Sequence, residues 1–191
     1  MADGVVAASG SSQDVRELVE RAQGGDRGAL EELYLVHFDR IYSYLHMAVG
    51  NRHDAEDLTT QTFLRMLEAI PGFRFGKAPF SAWLFRIAHN LAMDHFRASK
   101  RIQPTGEVSQ AGRVTEDSAE EQALAEIGRG SMLELIGALS HEQQQVLTLK
   151  FVFSFSNGEA ATILDKTEGA VKSLQHRALL SLQKQITAAS P

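Results

Sequence analysis

The chain contains no cysteine, which excludes disulfides and thiolate metal sites and fits a reducing, cytoplasmic setting. No apolar run approaches the ~18 residues that a membrane-spanning helix needs, so no membrane insertion is expected. The opening residues, MADGVVAASGSSQD, have neither a basic start nor a long apolar segment, which excludes a secretory signal. No alternation of apolar and polar residues is long enough for a strand. The histidines at positions 37, 46, 53, 89, 95, 141 and 176 show no HExxH or comparable ligand spacing. No glycine-rich phosphate loop follows a strand, and no nucleophile motif is visible. Neither an enzyme nor a metal or cofactor site is expected.

What is present is helical text throughout, with 43% hydrophobic residues in 191. The expected fold is all-α: two small helical domains joined by a flexible linker, the second containing a helix-turn-helix. Residues 1–13 read as a disordered leader, 14–101 as the first domain, 102–131 as an acidic linker running into the next helix, and 132–186 as the second domain. The net charge of −5 argues superficially against a nucleic-acid partner, yet its distribution reverses that reading. The segment 102–131 carries Glu107, Glu116, Asp117, Glu120, Glu121 and Glu126 against Arg113 and Arg129. The stretches on either side of it are balanced, with clustered cations.

Within the first domain, residues 14–23 read as a short helix ended by Gly24-Gly25. Asp26 caps a longer one whose apolar face includes Leu33, His37, Ile41, Tyr44 and Leu45, stopped at Gly50. Asp54 is the expected cap of the next helix, closed by Pro71-Gly72. Its expected buried stripe is Leu58, Thr62, Phe63, Met66, Leu67 and Ile70, while Asp57, Gln61, Leu64 and Glu68 share another face.

The stretch FSAWLFRIAHNLAMDHFRASKR, residues 80–101, is the centre of the chain. Ser81 is the expected N-cap, and Leu84, Ile87, Ala88, Leu91 and His95 form the inward stripe. Trp83, Arg86, Asn90 and Arg97 fall on another face. A stacking aromatic, two cations and an amide could together hold an unstacked base and its neighbouring phosphates. Lys100 and Arg101 extend the basic end. A core tryptophan and a basic helix end answering the helix dipole would give a similar pattern.

In the second domain, Ser140 with Gln143 and Ser156 with Glu159 form two capping boxes. Asp165-Lys166-Thr167 forms a turn, with Thr167 capping the last helix. Ala160, Ile163, Leu164, Val171, Leu174 and Ala178 have the spacing to pack the two final helices together as a helix-turn-helix. That leaves Lys172, Ser173, Gln175, His176 and Arg177 on the outer arc, where such residues reach base edges or phosphates. Lys166, Lys172, Arg177 and Lys184 against Glu168 alone favour DNA over a plain helix pair.

Three runs in order, DAEDLTTQTFLRML, GKAPFSAWLFRIAHNLAMDHFR and EGAVKSLQHRALLSL, resemble the extracytoplasmic-function (ECF) sigma factors of the sigma-70 family. The resemblance spans about Asp14 to Lys184. It implies a promoter-specificity subunit, not an enzyme, that binds core RNA polymerase at the β′ clamp and β flap, recognises −35 and −10 promoter elements and promotes melting. It implies sigma region 2 over 14–101 and sigma region 4 over 132–186. The clamp contact falls on Asp54, Asp57, Gln61 and Leu64. The −10 strand falls to Trp83, Arg86, Asn90, Arg97, Lys100 and Arg101, with Asn90 near a flipped base. The −35 duplex falls to Lys166, Lys172, Ser173, His176 and Arg177. An anti-sigma factor is an implied partner.

The chain departs from the family at Asp165, where the turn usually has glycine, and at Leu174 and Gln175, which are often basic. The FVFSFSN segment is also more apolar than usual, so its aromatics are either packed or in contact with a partner. A stand-alone helix-turn-helix regulator would account for residues 140–186 but leaves the central helix unexplained.

Overall fold

The computed structural model describes residues 12–76, 78–102 and 137–189. The expected leader up to residue 11, nearly all of the expected linker and the first residues of the expected second domain, 132–136, lie outside them. The described residues contain, in order, the helices α1 (Ser12–Gln23), α2 (Arg27–Val49), α3 (Arg52–Ala69), α4 (Phe80–Ile102), α5 (His141–Leu147), α6 (Asn157–Ile163) and α7 (Glu168–Ala189). No strand occurs among the described residues.

The helix boundaries follow local chemistry. Gly25, at φ 88°, turns the chain after α1. Asp26 then caps α2 by accepting from the backbone N–H groups of Gly28 and Ala29, a cap contributing about 1 kcal/mol. Gly50, at φ 69°, ends α2, and the very next residue, Asn51, caps α3 by accepting from His53 and Asp54. Asp54, expected as that cap, therefore lies inside the first turn. Asn51 takes the role because its side chain follows directly on the left-handed glycine. Ser81 likewise lies inside α4, which starts one residue earlier; the Pro79 carbonyl accepts the N–H of Trp83. Ser12 and Gln13, read as leader, belong to α1.

The first four helices bury Val19, Leu33, Ile41, Leu45, Met66, Phe80, Leu84 and Phe85 almost completely. Thr59 and Thr62, buried in α3, satisfy their hydroxyls on the carbonyls of Ala55 and Leu58, as β-hydroxyl side chains in helices do. Leu67 is 44% exposed and departs from the expected buried stripe. It lines an open apolar groove with Leu30 and Tyr34 of α2. Gln23 donates to the carbonyls of Ile70 and Phe73 at 2.9 and 2.8 Å, tying the end of α1 to the loop before α4.

In the second unit both capping boxes form, at Ser140–Gln143 and Ser156–Glu159. The helix capped by Ser140 stops at Leu147 and widens into a π-turn over Thr148–Val152. Ser154 then adopts φ 60°, which costs a non-glycine residue roughly 1 kcal/mol. Asp165, at φ 52°, takes the left-handed position of the later turn, as its short polar side chain permits. Thr167 caps α7 through the N–H of Ala170 at 3.2 Å.

The two units pack against each other. One face of α4 meets α2 and α3, another meets α6, and the buried side chains form one hydrophobic cluster from Leu18 to Leu174.

Candidate polymerase and nucleic-acid interfaces

The three faces of α4 are distinct. Leu84, Ala88 and Leu91 are buried towards the first unit's core. Phe85, His89, Met93 and Phe96 turn to the second unit. Arg86, Asn90, Asp94 and Arg97 are exposed in one stripe, three and four residues apart. The stripe therefore brings together Arg86, Asn90 and Arg97 as the sequence indicated, and adds Asp94, whose carboxylate accepts from Arg97 at 3.0 Å. Trp83 lies on the same face of the helix, two turns before Asn90. Its half-buried ring packs on Phe73 and Phe80, with centroids 4.9 and 5.3 Å away. It is a wall of the aromatic loop, reached from solvent by only part of its surface. Lys100 and Arg101 lie in the last turn of α4.

On α3, Asp57, Gln61 and Leu64 are exposed on one face, Leu64 at 54%. Asp54 is only half exposed, and a carboxylate oxygen lies 3.4 Å from His95 Nε2 on α4. Leu64 and Leu67, with Tyr34 at 40% exposure on α2, give this side of the molecule an apolar border to its acidic stripe.

In the second unit Ala160, Ile163, Leu164, Val171, Leu174 and Ala178 are all buried, so the packing seam of the helix-turn-helix is as expected. Lys172, Ser173, His176 and Arg177 are exposed on the opposite arc of α7, and Gln175 is half exposed. Lys172 pairs with Glu168 at 2.8 Å, and Arg177 Nε donates to the Ser173 carbonyl at 3.4 Å. Lys166 is the least available cation of the set. Its side chain is 26% exposed and donates to Glu142 at 2.7 Å. That hydrogen bond holds the Glu142 carboxyl below its ordinary range, so a phosphate would have to displace a settled partner.

Two buried histidines are neutral scaffolding. Burial, and then the charge of Arg40, pushes His37 down to about 4, and neither ring nitrogen has a hydrogen-bond partner among the described residues. His89 is also pushed to about 4, first by burial and then by His141 and Lys166. Its Nδ1 is hydrogen-bonded to the buried Tyr44 hydroxyl at 2.9 Å. No group of histidine, aspartate and glutamate among the described residues could hold a metal ion. Nor is any described helix long and apolar enough to cross a membrane.

The part played by Arg40 was missed by sequence reasoning. Its guanidinium donates to the Phe153 carbonyl at 2.8 Å and lies over the rings of Phe85 and Phe155. The aromatic text of FVFSFSN was the only signal of such a contact.

An exposed amide-and-guanidinium stripe on one helix, together with a capped helix-turn-helix, has the chemistry to meet nucleic acid. Residues 33–102 match the Sigma-70 region 2 family and residues 129–182 match Sigma-70, region 4. Over 180 residues the chain is 41% identical to the ECF RNA polymerase sigma factor BldN of Streptomyces coelicolor, covering 93% of this chain and 68% of that one. The chain belongs to the ECF RNA polymerase sigma factors.

Two solved structures share the fold. CnrH, in complex with the cytosolic domain of CnrY, superposes with a TM-score of 0.67 at 24% identity, covering 92% of this chain and 98% of that one. The sigma factor RpoE of Bartonella quintana, in complex with the anti-sigma factor NepR, gives 0.64 at 22%, covering 83% and 97%.

Proposed function

We propose that the chain binds core RNA polymerase through the exposed face of α3, captures the melted −10 strand on α4 and reads the −35 duplex with α7. It acts as a binding and melting subunit in the cytoplasm and is not itself a catalyst. The observation that carries this reading is the solvent-facing Arg86–Asn90–Arg97 stripe within the region 2 match. An exposed asparagine offers one donor and one acceptor to the Watson–Crick edge of an unpaired base. Arginines beside it can neutralise phosphates. On α3, Asp57, Gln61 and Leu64 offer a basic partner a surface of matching charge with one apolar anchor. Asp54 supports that helix from its pairing with His95.

Lys172, Ser173, His176 and Arg177 stand on the outer arc of α7, where a recognition helix meets the major groove. Lys166 joins them once Glu142 releases it. We extend to this chain an anti-sigma partner of the class seen with RpoE. Run-off transcription with core polymerase on candidate promoters tests the assignment: specific transcripts are expected only when the chain is added. Correctly folded protein that fails to bind core polymerase in a pull-down would overturn it.

A further inference from the structure

We infer that α1 takes part in holding the melted strand: Arg16, laid over the Phe75 ring, offers an unpaired base a flat cationic face, at a site separate from the one proposed for Asn90. This rests on the reading of α4 as a single-strand interface, yet it draws on a helix that lies outside the region 2 match. That match begins at residue 33, whereas α1 ends at Gln23.

The end of α1 fixes the loop that follows α3. Gln23 donates to the carbonyls of Ile70 and Phe73, so the loop is tied to α1 at two points. Phe73 is buried and gathers three rings around it: Phe75 at 5.0 Å, Phe80 at 5.4 Å and Trp83 at 4.9 Å. Phe75 and Trp83, the outer members of this group, are half-buried. Arg16 lies two helical turns before Gln23, on the same side of α1. Its guanidinium carbon stands 4.8 Å from the centroid of Phe75.

A cation over an aromatic ring needs no ligand to explain it. Two features of this one exceed what packing alone requires. Arg16 Nε donates to Glu20 Oε1 at 3.2 Å, which fixes the guanidinium from the side and leaves its side chain 62% exposed. A guanidinium held flat on one ring, with its other face open to water, is a ready stacking surface for a base. The second feature is continuity. From Arg16 the rings of Phe75, Phe73 and Trp83 lead to the exposed α4 stripe in steps of about 5 Å, and Asn90 lies roughly 10 Å further along the helix. Cations and aromatics alternate along this path, as they do where single strands are held without regard to sequence.

The path is much longer than the ~3.4 Å between successive bases of a stacked strand, so Arg16 and Asn90 hold different bases. Asn90 offers hydrogen bonds to a base edge, whereas Arg16 offers only a face and a charge. The ligand class at Arg16 is therefore any unpaired base, taken by its π-surface. Glu20 has two opposed effects: it sets the guanidinium plane and it repels the phosphate beside the stacked base.

The test uses the full chain assembled on core polymerase and a promoter template held open as a bubble. The fluorescent base 2-aminopurine, which dims on stacking, is placed in turn at each unpaired position of the −10 strand. One position should brighten in Arg16→Ala, distinct from any that brightens in Asn90→Ala, and bubble affinity should fall several-fold. Arg16→Lys should brighten the same position, because it keeps the charge and loses the plane. Glu20→Gln keeps an acceptor for Nε and removes the repulsion, so it should tighten bubble binding about twofold at low salt. All three substitutions lie at exposed positions, and unchanged helix content checks the fold. If no position brightens in Arg16→Ala, the site is overturned. If Arg16→Lys restores both stacking and affinity, Arg16 is a phosphate charge only and the stacking site is equally overturned. Brightening in Arg16→Ala with none in Asn90→Ala keeps the site and removes the base-reading role of α4. Should the chain fail to bind core polymerase, the sigma-factor reading falls, and the site is then judged on the free chain through Trp83, its single tryptophan. Quenching of Trp83 by a single-stranded oligonucleotide that Arg16→Ala weakens keeps the site, and quenching that is absent or unaltered overturns it.

Discussion

His95 Nε2 lies 3.4 Å from the Asp54 carboxylate, joining the helix proposed to meet polymerase to the helix proposed to hold the −10 strand. Both side chains are about one-third exposed, so the pair contributes less than about 1 kcal/mol to stability. Its main effect is on alignment: Asp54 faces α4, while Asp57 and Gln61 face outward. Replacing Asp57 and Gln61 together by arginine should weaken core polymerase binding at least tenfold with helix content unchanged, whereas Asp54→Ala should weaken it less. Titration of labelled core polymerase measures both, and equal binding by the double variant would make the polar stripe a solvated face only.

Asn90 tests melting separately from binding. Asn90→Ala should leave core binding and −35 binding intact while reducing open-complex formation on duplex promoters, because the variant no longer offsets the unstacking cost of a few kcal/mol. A pre-melted bubble template should restore part of the activity. Normal permanganate reactivity of the −10 thymines in the variant would remove Asn90 from the role of base reader.

On α7, Arg177→Ala should cost roughly 1–3 kcal/mol of promoter affinity if the guanidinium reads a base, and should relax preference at one position. Binding assays across single-base variants of the −35 element decide the matter. A uniform loss across all of them would assign Arg177 to a phosphate.

Acid should destabilise the fold through its buried histidines. In the unfolded chain both titrate near 6.5, whereas in the folded protein His37 and His89 stay neutral down to about 4. The unfolded state therefore binds more protons in that window. Stability is complete above pH 6.5 and falls as pH drops towards 4, by up to roughly 3 kcal/mol for each group. His37→Leu removes one of these groups and its unpaired nitrogens together, so it should flatten the slope and raise stability at pH 5 relative to the parent chain. Urea titrations at pH 8 and pH 5 give the comparison, and parallel pH profiles would contradict the assignment.

Ser156→Ala removes the N-cap of α6, whose seven residues are too few to hold a helix without support. A loss of about 1 kcal/mol is expected, read as a lower melting temperature. A melting temperature equal to the parent's would show that tertiary packing alone holds α6.

The sequence by itself determined the all-helical fold, most helix boundaries, the seam of the helix-turn-helix and the outward positions of Arg86, Asn90 and Arg177. All of these follow from local periodicity and capping, which act within four residues. It erred where two local signals competed. Asn51 and Asp54 could each cap α3, and the residue immediately after Gly50 prevailed. The stretch after Leu147 kept helical periodicity in its text, yet the chain widened there into a π-turn.

Only the tertiary structure decided that Trp83 is a loop wall, that Lys166 is held by Glu142, and that Asp54 is turned towards His95. It alone placed Arg40 against the Phe153 carbonyl, a contact across 113 residues. The two side chains of Phe153 and Phe155 flank a left-handed serine, and their aromatic character was plain in the sequence. The ring they would meet depended on bringing α2, α4 and α6 together, a choice made by long-range packing that no local spacing encodes.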